Sequence, residues 1–163
     1  MEVRSDDVWV VTFPKCGTTW TQELVWHVAN NCDFKASKQL LVERFPFFEF
    51  DSLLDPSHIL GVPDVKKEKD LVDQLQEATS RRFIKTHIPL SLLPCNLLDT
   101  AKVVYVARNP RDVIVSYYHH HRLNKVHDFV GDLPEFAQWF IKDNVLMSPF
   151  FPHVEEEIGR AHV

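Results

Sequence analysis

One short segment, residues 15–19, combines a lysine, a cysteine, a glycine and two threonines. Lys15 carries a full positive charge, and Gly17 lets the main chain pass close to a ligand. Thr18 and Thr19 supply hydroxyl donors, and the helical pattern that follows them would aim free amides and its positive end at the same place. The segment therefore predicts a site for an anionic group, most simply a phosphate or a sulfate ester.

The common phosphate-binding loops do not fit this segment. A Walker A loop places its lysine directly after a glycine, whereas Lys15 precedes Gly17 and no glycine occurs earlier in the chain. A phosphatase loop with Cys16 as nucleophile would need an arginine six residues later, where the chain has Gln22. The alternative without function is an ordinary strand–turn–helix connection that happens to contain a lysine.

Three further polar side chains follow apolar runs. Lys85 and His87 come directly after Phe83-Ile84, and Arg108 follows the run 102–107. Ligands of open α/β sheets bind beyond the carboxyl ends of the strands, so these side chains are expected at one site. Ser116 lies eight residues after Arg108, near the start of a predicted helix, and both can face one ligand. The alternative interpretation of His87 is structural, because a lone histidine after a strand is more often a capping or core residue.

The elements that would position these groups are those of an α/β protein with a parallel sheet. Strands are predicted at 8–13 and 102–107, and a short β-run at 83–84 that ends in Lys85-Thr86-His87; the 102–107 strand is expected to be covered on both faces because its β-branched run has no polar break. Helices are predicted over 20–29, 66–79, 111–125 and 133–145, and loops over 40–50 and 147–152. In the first helix Leu24, Val25 and Val28 fall at helical spacing.

Four phenylalanines in the 40–50 loop, Phe45, Phe47, Phe48 and Phe50, admit two interpretations. They fill the core, or they form an apolar wall for a substrate. The histidines at 119–121 and 127 are interpreted as surface residues, because successive helical residues cannot share one metal ion. No metal site is therefore expected.

Composition excludes several classes of protein. The 163 residues (19.0 kDa, 45% hydrophobic, 25% charged) suit one globular domain, and the net charge of −5 argues against a nucleic-acid surface. No run approaches the ~20 apolar residues of a membrane span. Cys16, Cys32 and Cys95 are odd in number and far apart, so free thiols and a cytoplasmic location are expected.

Taken together, the three motifs resemble the cytosolic sulfotransferases. The family's Pro-Lys-Ser-Gly-Thr-Thr-Trp matches residues 14–20 except at Cys16, and its Lys-Thr-His-Leu-Pro matches 85–89 with one conservative change. Its Tyr-Val-Ala-Arg-Asn-Pro-Arg-Asp-Val matches 105–113, with Ser-Tyr-Tyr downstream at 116–118. The resemblance implies a parallel-sheet, P-loop-like sulfotransferase fold. It also implies transfer of a sulfuryl group from 3′-phosphoadenosine-5′-phosphosulfate (PAPS) to a hydroxyl or amine of a small molecule, without a metal.

The resemblance also implies roles for individual residues. His87 is the catalytic base, and Lys15 and Lys85 neutralise charge on the sulfuryl and leaving groups. The remaining nucleotide contacts come from Cys16, Gly17, Thr18, Thr19, Trp20, Arg108 and Ser116, with Trp20 on the adenine and the last two on the 3′-phosphate. Cys16 departs from the family's serine, and its thiol is expected to form thiolate beside Lys15 at a helix start. From its residue type alone, Trp20 equally suits a core position under the first helix.

The family's C-terminal half, with an Arg-Lys-Gly element and a dimerisation segment, has no match here. Residues 1–157 are therefore expected to be a partial sulfotransferase domain, incomplete at its C-terminal side, and residues 158–163 a non-native tail. The resemblance is compatible with a homodimeric parent protein, whose dimerisation segment is not found in this chain. Two alternatives stay open: a kinase-like nucleotide-binding protein, and a binding module inactive because it is truncated.

Overall fold

A parallel sheet forms the centre of the fold. The computed structural model describes residues 1–53, 70–125 and 127–160. In this part of the chain the strands β1 (Val8–Thr12), β2 (Phe83–Thr86) and β3 (Lys102–Val106) lie in the order β2-β1-β3. Both neighbours run parallel to β1. The α/β class with a parallel sheet, predicted from the sequence, is confirmed.

Helices connect and cover the strands. They are α1 (Thr18–Ala29), α2 (Leu41–Arg44), α3 (Phe50–Leu53), α4 (Leu71–Glu77), α5 (Leu97–Thr100), α6 (Pro110–Leu123), α7 (Leu133–Ile141) and α8 (Phe150–Arg160). The start of α6 follows its sequence closely. Asn109 caps it by accepting a hydrogen bond from the Arg111 amide at 3.0 Å, and Pro110 takes the first position, where no amide donor is needed.

Strand β1 carries the core on both of its faces. Trp9 and Val11 pack on one side with Ile84 and Leu97, and Val8 and Val10 pack on the other with Trp26 and Phe45. This alternation is the two-residue period of a strand. A third cluster lies past the end of β1, where Phe13 meets aromatic residues of α6, α7 and α8. The carboxyl end of β1 is thereby fixed on three sides.

Strand β3 differs from its prediction. Its residues after Lys102 are only half-buried, because β3 lies at an edge of the sheet in the described part of the chain. The fully buried central strand is β1. A β-branched run suits either position in a parallel sheet, so its composition alone could not assign the centre.

Helix α1 turns a different face inward from the one its apolar spacing suggested. Leu24 and Val28 are 62% and 77% exposed, whereas Gln22 and Trp26 are buried. Trp26 packs under β1, and the Gln22 amide donates to the Phe45 carbonyl at 3.4 Å. The turn at residues 13–17 sets where the helix begins and hence which face meets the sheet.

Other boundaries also moved. The predicted 40–50 loop contains α2, and the predicted 147–152 loop runs into α8, so the 133–145 helix is neither as long as expected nor the last. The amphipathic helix is confirmed over Leu71–Glu77, with Leu75 buried; residues 66–69 lie outside the described residues. Within residues 1–53, 70–125 and 127–160, no helix combines the length and apolarity that crossing a bilayer requires.

Candidate active site

The turn between β1 and α1 has the shape of an anion-binding loop. Lys15 (φ 67°) and Gly17 (φ 102°) are both left-handed, which folds the chain back so that α1 begins at Thr18. Among the described residues α1 receives no side-chain cap, and its first turn contains no acidic residue. Its first amides therefore remain available to a ligand, reinforced by the positive end of the helix.

A pocket of about 740 Å³ opens over this turn. Every predicted site residue except Cys16 lines it, although they come from three separate stretches of sequence. They are Lys15, Gly17, Thr18, Thr19, Trp20, Lys85, His87, Arg108 and Ser116. The parallel strands bring them together, because all three strands end at the same edge of the sheet.

Cys16 does not face the pocket. The residue is 4% exposed and packs with Phe13 and Tyr117 in the core. Burial raises the pKa of the thiol to about 11, and this effect outweighs the opposing influence of the Arg108 amide and charge. The expected thiolate is therefore wrong. The Cys16 amide also donates to the Phe13 carbonyl at 3.3 Å, within the turn itself.

His87 is held in one tautomer. Its Nδ1 lies 2.7 Å from the Thr12 carbonyl oxygen, which can only accept, so Nδ1 carries the hydrogen. The other ring nitrogen, Nε2, then carries the lone pair; it has no hydrogen-bond partner among the residues that the structure describes, and the ring lines the pocket. Burial, followed by the nearby charge of Lys85, lowers the pKa of His87 to about 3. The imidazole is therefore neutral at physiological pH.

Lys85 stands between an aromatic ring and a carboxyl group. Its Nζ lies 3.9 Å from the centre of the Phe47 ring, a cation–π contact. Burial lowers the pKa of Lys85; Glu49 raises it, and Lys15 lowers it further. The segment carrying Phe47 runs along β2: the Lys85 amide donates to the Pro46 carbonyl at 2.9 Å, and the Phe48 amide donates to the Lys85 carbonyl at 2.8 Å.

Arg108, Ser116 and Trp20 border the open side of the pocket. The exposed Arg108 guanidinium donates to the Lys15 carbonyl at 3.2 Å, which joins the end of β3 to the anion loop. Ser116, on α6, lines the same pocket. Trp20 is 79% exposed, which rules out a core position under α1. Its indole face is free to stack on a flat ligand.

Several residues of this region escaped the sequence analysis. Glu49 is 5% exposed and accepts a hydrogen bond from the His87 amide at 2.6 Å. His153 is 2% exposed and contacts the His87 carbonyl. His120 lines the pocket. His121 is buried and stacks on His127 with ring centres 4.2 Å apart, so the surface interpretation is wrong for His121. In the described residues no three potential ligands cluster as a metal site.

A sulfotransferase domain model matches residues 5–162. The chain belongs to the sulfotransferase family. The resemblance drawn from its three motifs is confirmed.

The sulfotransferase relatives are longer than this chain. Luciferin sulfotransferase of Photinus pyralis is 38% identical over 159 residues, and sulfotransferase 1A1 of Bos taurus is 37% identical over 165. These matches cover 94% and 99% of this chain but 42% and 52% of the relatives, so the chain spans about half their length.

The fold is also similar to a solved structure. A crystal structure of retinol dehydratase in complex with androsterone and the inactive cofactor PAP superimposes with a TM-score of 0.82. Its sequence is 35% identical, and the match covers 99% of this chain and 53% of that one.

Proposed function

We propose that the protein takes part in sulfuryl transfer from PAPS to a hydroxyl or amine of a small molecule. The observation that carries the proposal is the arrangement of one pocket: a neutral histidine with a free Nε2 lies in the same cavity as a lysine-bearing helix start. A base and an anion cradle in one cavity are what transfer of a charged group to a protic acceptor requires. Family membership supports the same chemistry.

The residues present fit the nucleotide's charges. Lys15, the amides at Gly17 and the first turn of α1, and the hydroxyls of Thr18 and Thr19 would hold the 5′-phosphosulfate. Cys16 would contribute the shape of the turn, because its thiol is buried.

The outer residues fit the rest of the nucleotide. Arg108 and Ser116 would hold the 3′-phosphate, and the exposed face of Trp20 would stack on the adenine. The PAP bound in the retinol dehydratase structure supports a nucleotide of this kind.

The chemical roles follow from the protonation states. When bound, PAPS supplies the sulfuryl group and leaves as PAP. His87 takes the proton from the hydroxyl or amine of the acceptor molecule at Nε2. Its Nδ1–H meanwhile keeps its hydrogen bond to the Thr12 carbonyl oxygen. Lys15 and Lys85 stabilise charge that spreads over the sulfuryl oxygens and the leaving phosphate, so a metal ion is not required by this proposal.

Several apolar side chains also line the pocket. The Phe47 ring packs against the His87 imidazole with ring centres 5.2 Å apart, and Tyr117, Leu146 and Met147 line the same cavity. Such a lining favours an acceptor with an aromatic or aliphatic body. The androsterone and retinol found in retinol dehydratase complexes are apolar alcohols and support this choice.

Location and assembly are part of the proposal. Three cysteines without disulfides, two of them exposed, support a reducing, cytoplasmic compartment. A homodimeric parent is inferred from the family resemblance alone.

Calorimetry and a transfer assay test the function. PAP should bind without magnesium, and EDTA should leave its affinity unchanged; loss of affinity with EDTA would favour a kinase-like protein. Transfer of labelled sulfate from PAPS to a panel of phenols, alcohols and amines should be measurable. Binding of PAP without any transfer would favour the inactive binding module.

His87 separates catalysis from binding. His87→Ala should abolish transfer, because a general base contributes about 10²- to 10⁴-fold, while PAP affinity changes by less than about 1 kcal/mol. Lys15→Ala should reduce both, since its charge acts on the bound nucleotide and on the transition state. A His87 variant that keeps near-normal transfer would refute the assigned role.

A further inference from the structure

We propose that Glu49 and His153 are positioning residues that hold the main chain of His87 from both sides. This inference rests on the proposed role of His87 as the base. One residue grips the amide of His87 and the other its carbonyl, and they come from different parts of the fold.

Glu49 holds the amide side. Glu49 is 5% exposed, and its Oε1 accepts the His87 N–H at 2.6 Å, which is shorter than the usual N–H···O hydrogen bond. Burial raises the pKa of Glu49, against the lowering effects of the His87 amide, the Thr86 hydroxyl and the Lys85 charge. A buried carboxyl group seldom stabilises a fold more than an apolar side chain of similar size would. A positioning role is therefore the better explanation for Glu49 at this place.

His153 holds the carbonyl side. It lies in the first turns of α8 and is 2% exposed. Its Nε2 is 3.0 Å from the His87 carbonyl oxygen and must donate. Burial lowers the pKa of His153, and in the neutral ring Nδ1 accepts the Tyr105 hydroxyl, 3.1 Å away. Tyr105 belongs to β3, so α8 and β3 together fix the donor of this hydrogen bond.

The consequence is a base with one free atom. The N–H, the C=O and the Nδ1–H of His87 are each bound, to Glu49, His153 and Thr12. The Phe47 ring and the imidazole pack in a T-shaped arrangement with centres 5.2 Å apart. Of the polar atoms of His87, Nε2 is the one that has no partner within the described part of the chain. A displacement of about 1 Å from a productive geometry can lower a rate by about 10²-fold. Holding the main chain of His87 in place therefore serves catalysis, because it fixes the position of Nε2.

The test pairs a conservative and a disruptive substitution at each position. His153→Gln keeps an N–H near the place of Nε2, and Glu49→Gln keeps an oxygen acceptor, whereas leucine at either position removes the bond. Each leucine variant should lower kcat by about 10²-fold with PAP affinity changed less than about twofold, and each glutamine variant should recover most of the rate. Glu43→Gln, on the exposed side of α2, is the matched control and should behave as wild type.

A second measurement does not depend on turnover. Amide hydrogen exchange at His87 should accelerate in Glu49→Leu, and nitrogen NMR of the imidazole should show His153 as the Nε2–H tautomer in wild type. Tyr105→Phe, which removes the hydrogen bond to Nδ1 of His153, also serves where a leucine variant does not fold, and it should lower kcat severalfold.

Specific results would overturn the proposal. They are equal loss of rate in the glutamine and leucine variants, a parallel fall of kcat and PAP affinity, or unchanged exchange at the His87 amide in Glu49→Leu. If wild type itself transfers no sulfuryl group, the proposed function fails, while exchange and tautomer measurements still decide whether the two residues hold His87.

Discussion

Acid should destabilise this protein through His87. The pKa of His87 is about 3 in the folded chain against the ordinary 6.5, so between these values the unfolded chain binds the proton and the folded chain does not. Stability is therefore full above pH 6.5 and is lost as pH falls toward 3. At pH 5, about 1.5 units below the unfolded pKa, the loss from this one group is about 2 kcal/mol.

His87→Asn isolates this contribution. The asparagine amide can still donate to the Thr12 carbonyl but does not titrate. The unfolding free energy, measured by urea titration, should therefore fall less between pH 8 and pH 5 in this variant than in wild type, by about 2 kcal/mol. Tryptophan fluorescence can follow the unfolding. His119→Asn, at an exposed histidine, is the control and should keep the wild-type pH dependence. Equal losses in wild type and His87→Asn would refute the claim that burial holds this imidazole neutral.

Three further experiments test the anion loop and its surroundings. Arg108→Ala should weaken PAP binding by about 2 kcal/mol in calorimetry and remove the penalty against adenosine 5′-phosphosulfate; equal losses for both nucleotides would contradict a 3′-phosphate role. Gly17→Ala should lower the unfolding free energy by about 1 to 2 kcal/mol, because the backbone at Gly17 is left-handed, although an added Cβ would meet open space. The control is Gly159→Ala, at a helical and equally unobstructed glycine, which should not destabilise the protein. At pH 8 an alkylating reagent should label the exposed Cys32 in the folded protein and spare Cys16, whose pKa is about 11; equal rates would contradict its burial.

The parts of the fold that sequence analysis predicted well are those whose local chemistry permits one structure. Pro14 and Gly17 separate β1 from α1, since proline cannot continue a sheet ladder and glycine accepts the left-handed turn. Asn109 and Pro110 mark the start of α6 for equally local reasons. Because ligands bind at the carboxyl ends of parallel strands, these boundaries also predict much of the pocket lining.

The parts that were missed depend on long-range packing. The β-branched run of β3 indicated a buried strand, but strand order is decided by how the connections cross the sheet, which no single segment records. Leu24 and Trp26 are both plausible inward residues of α1, and the turn before the helix selects Trp26. Cys16 looked activated from its neighbours alone, yet its thiol points into the core, where desolvation dominates.

The supports of His87 were hidden for a different reason. Glu49 and His153 lie 38 and 66 positions from it and bind its main chain. Main-chain amides and carbonyls are the same at every residue, so such bonds leave no characteristic spacing and no motif in the sequence. The motif around His87 therefore identifies the group that reacts, whereas the group's orientation is set by residues that belong to no motif. A change confined to Glu49 or to the start of α8 could thus silence the site while every motif residue remained in place.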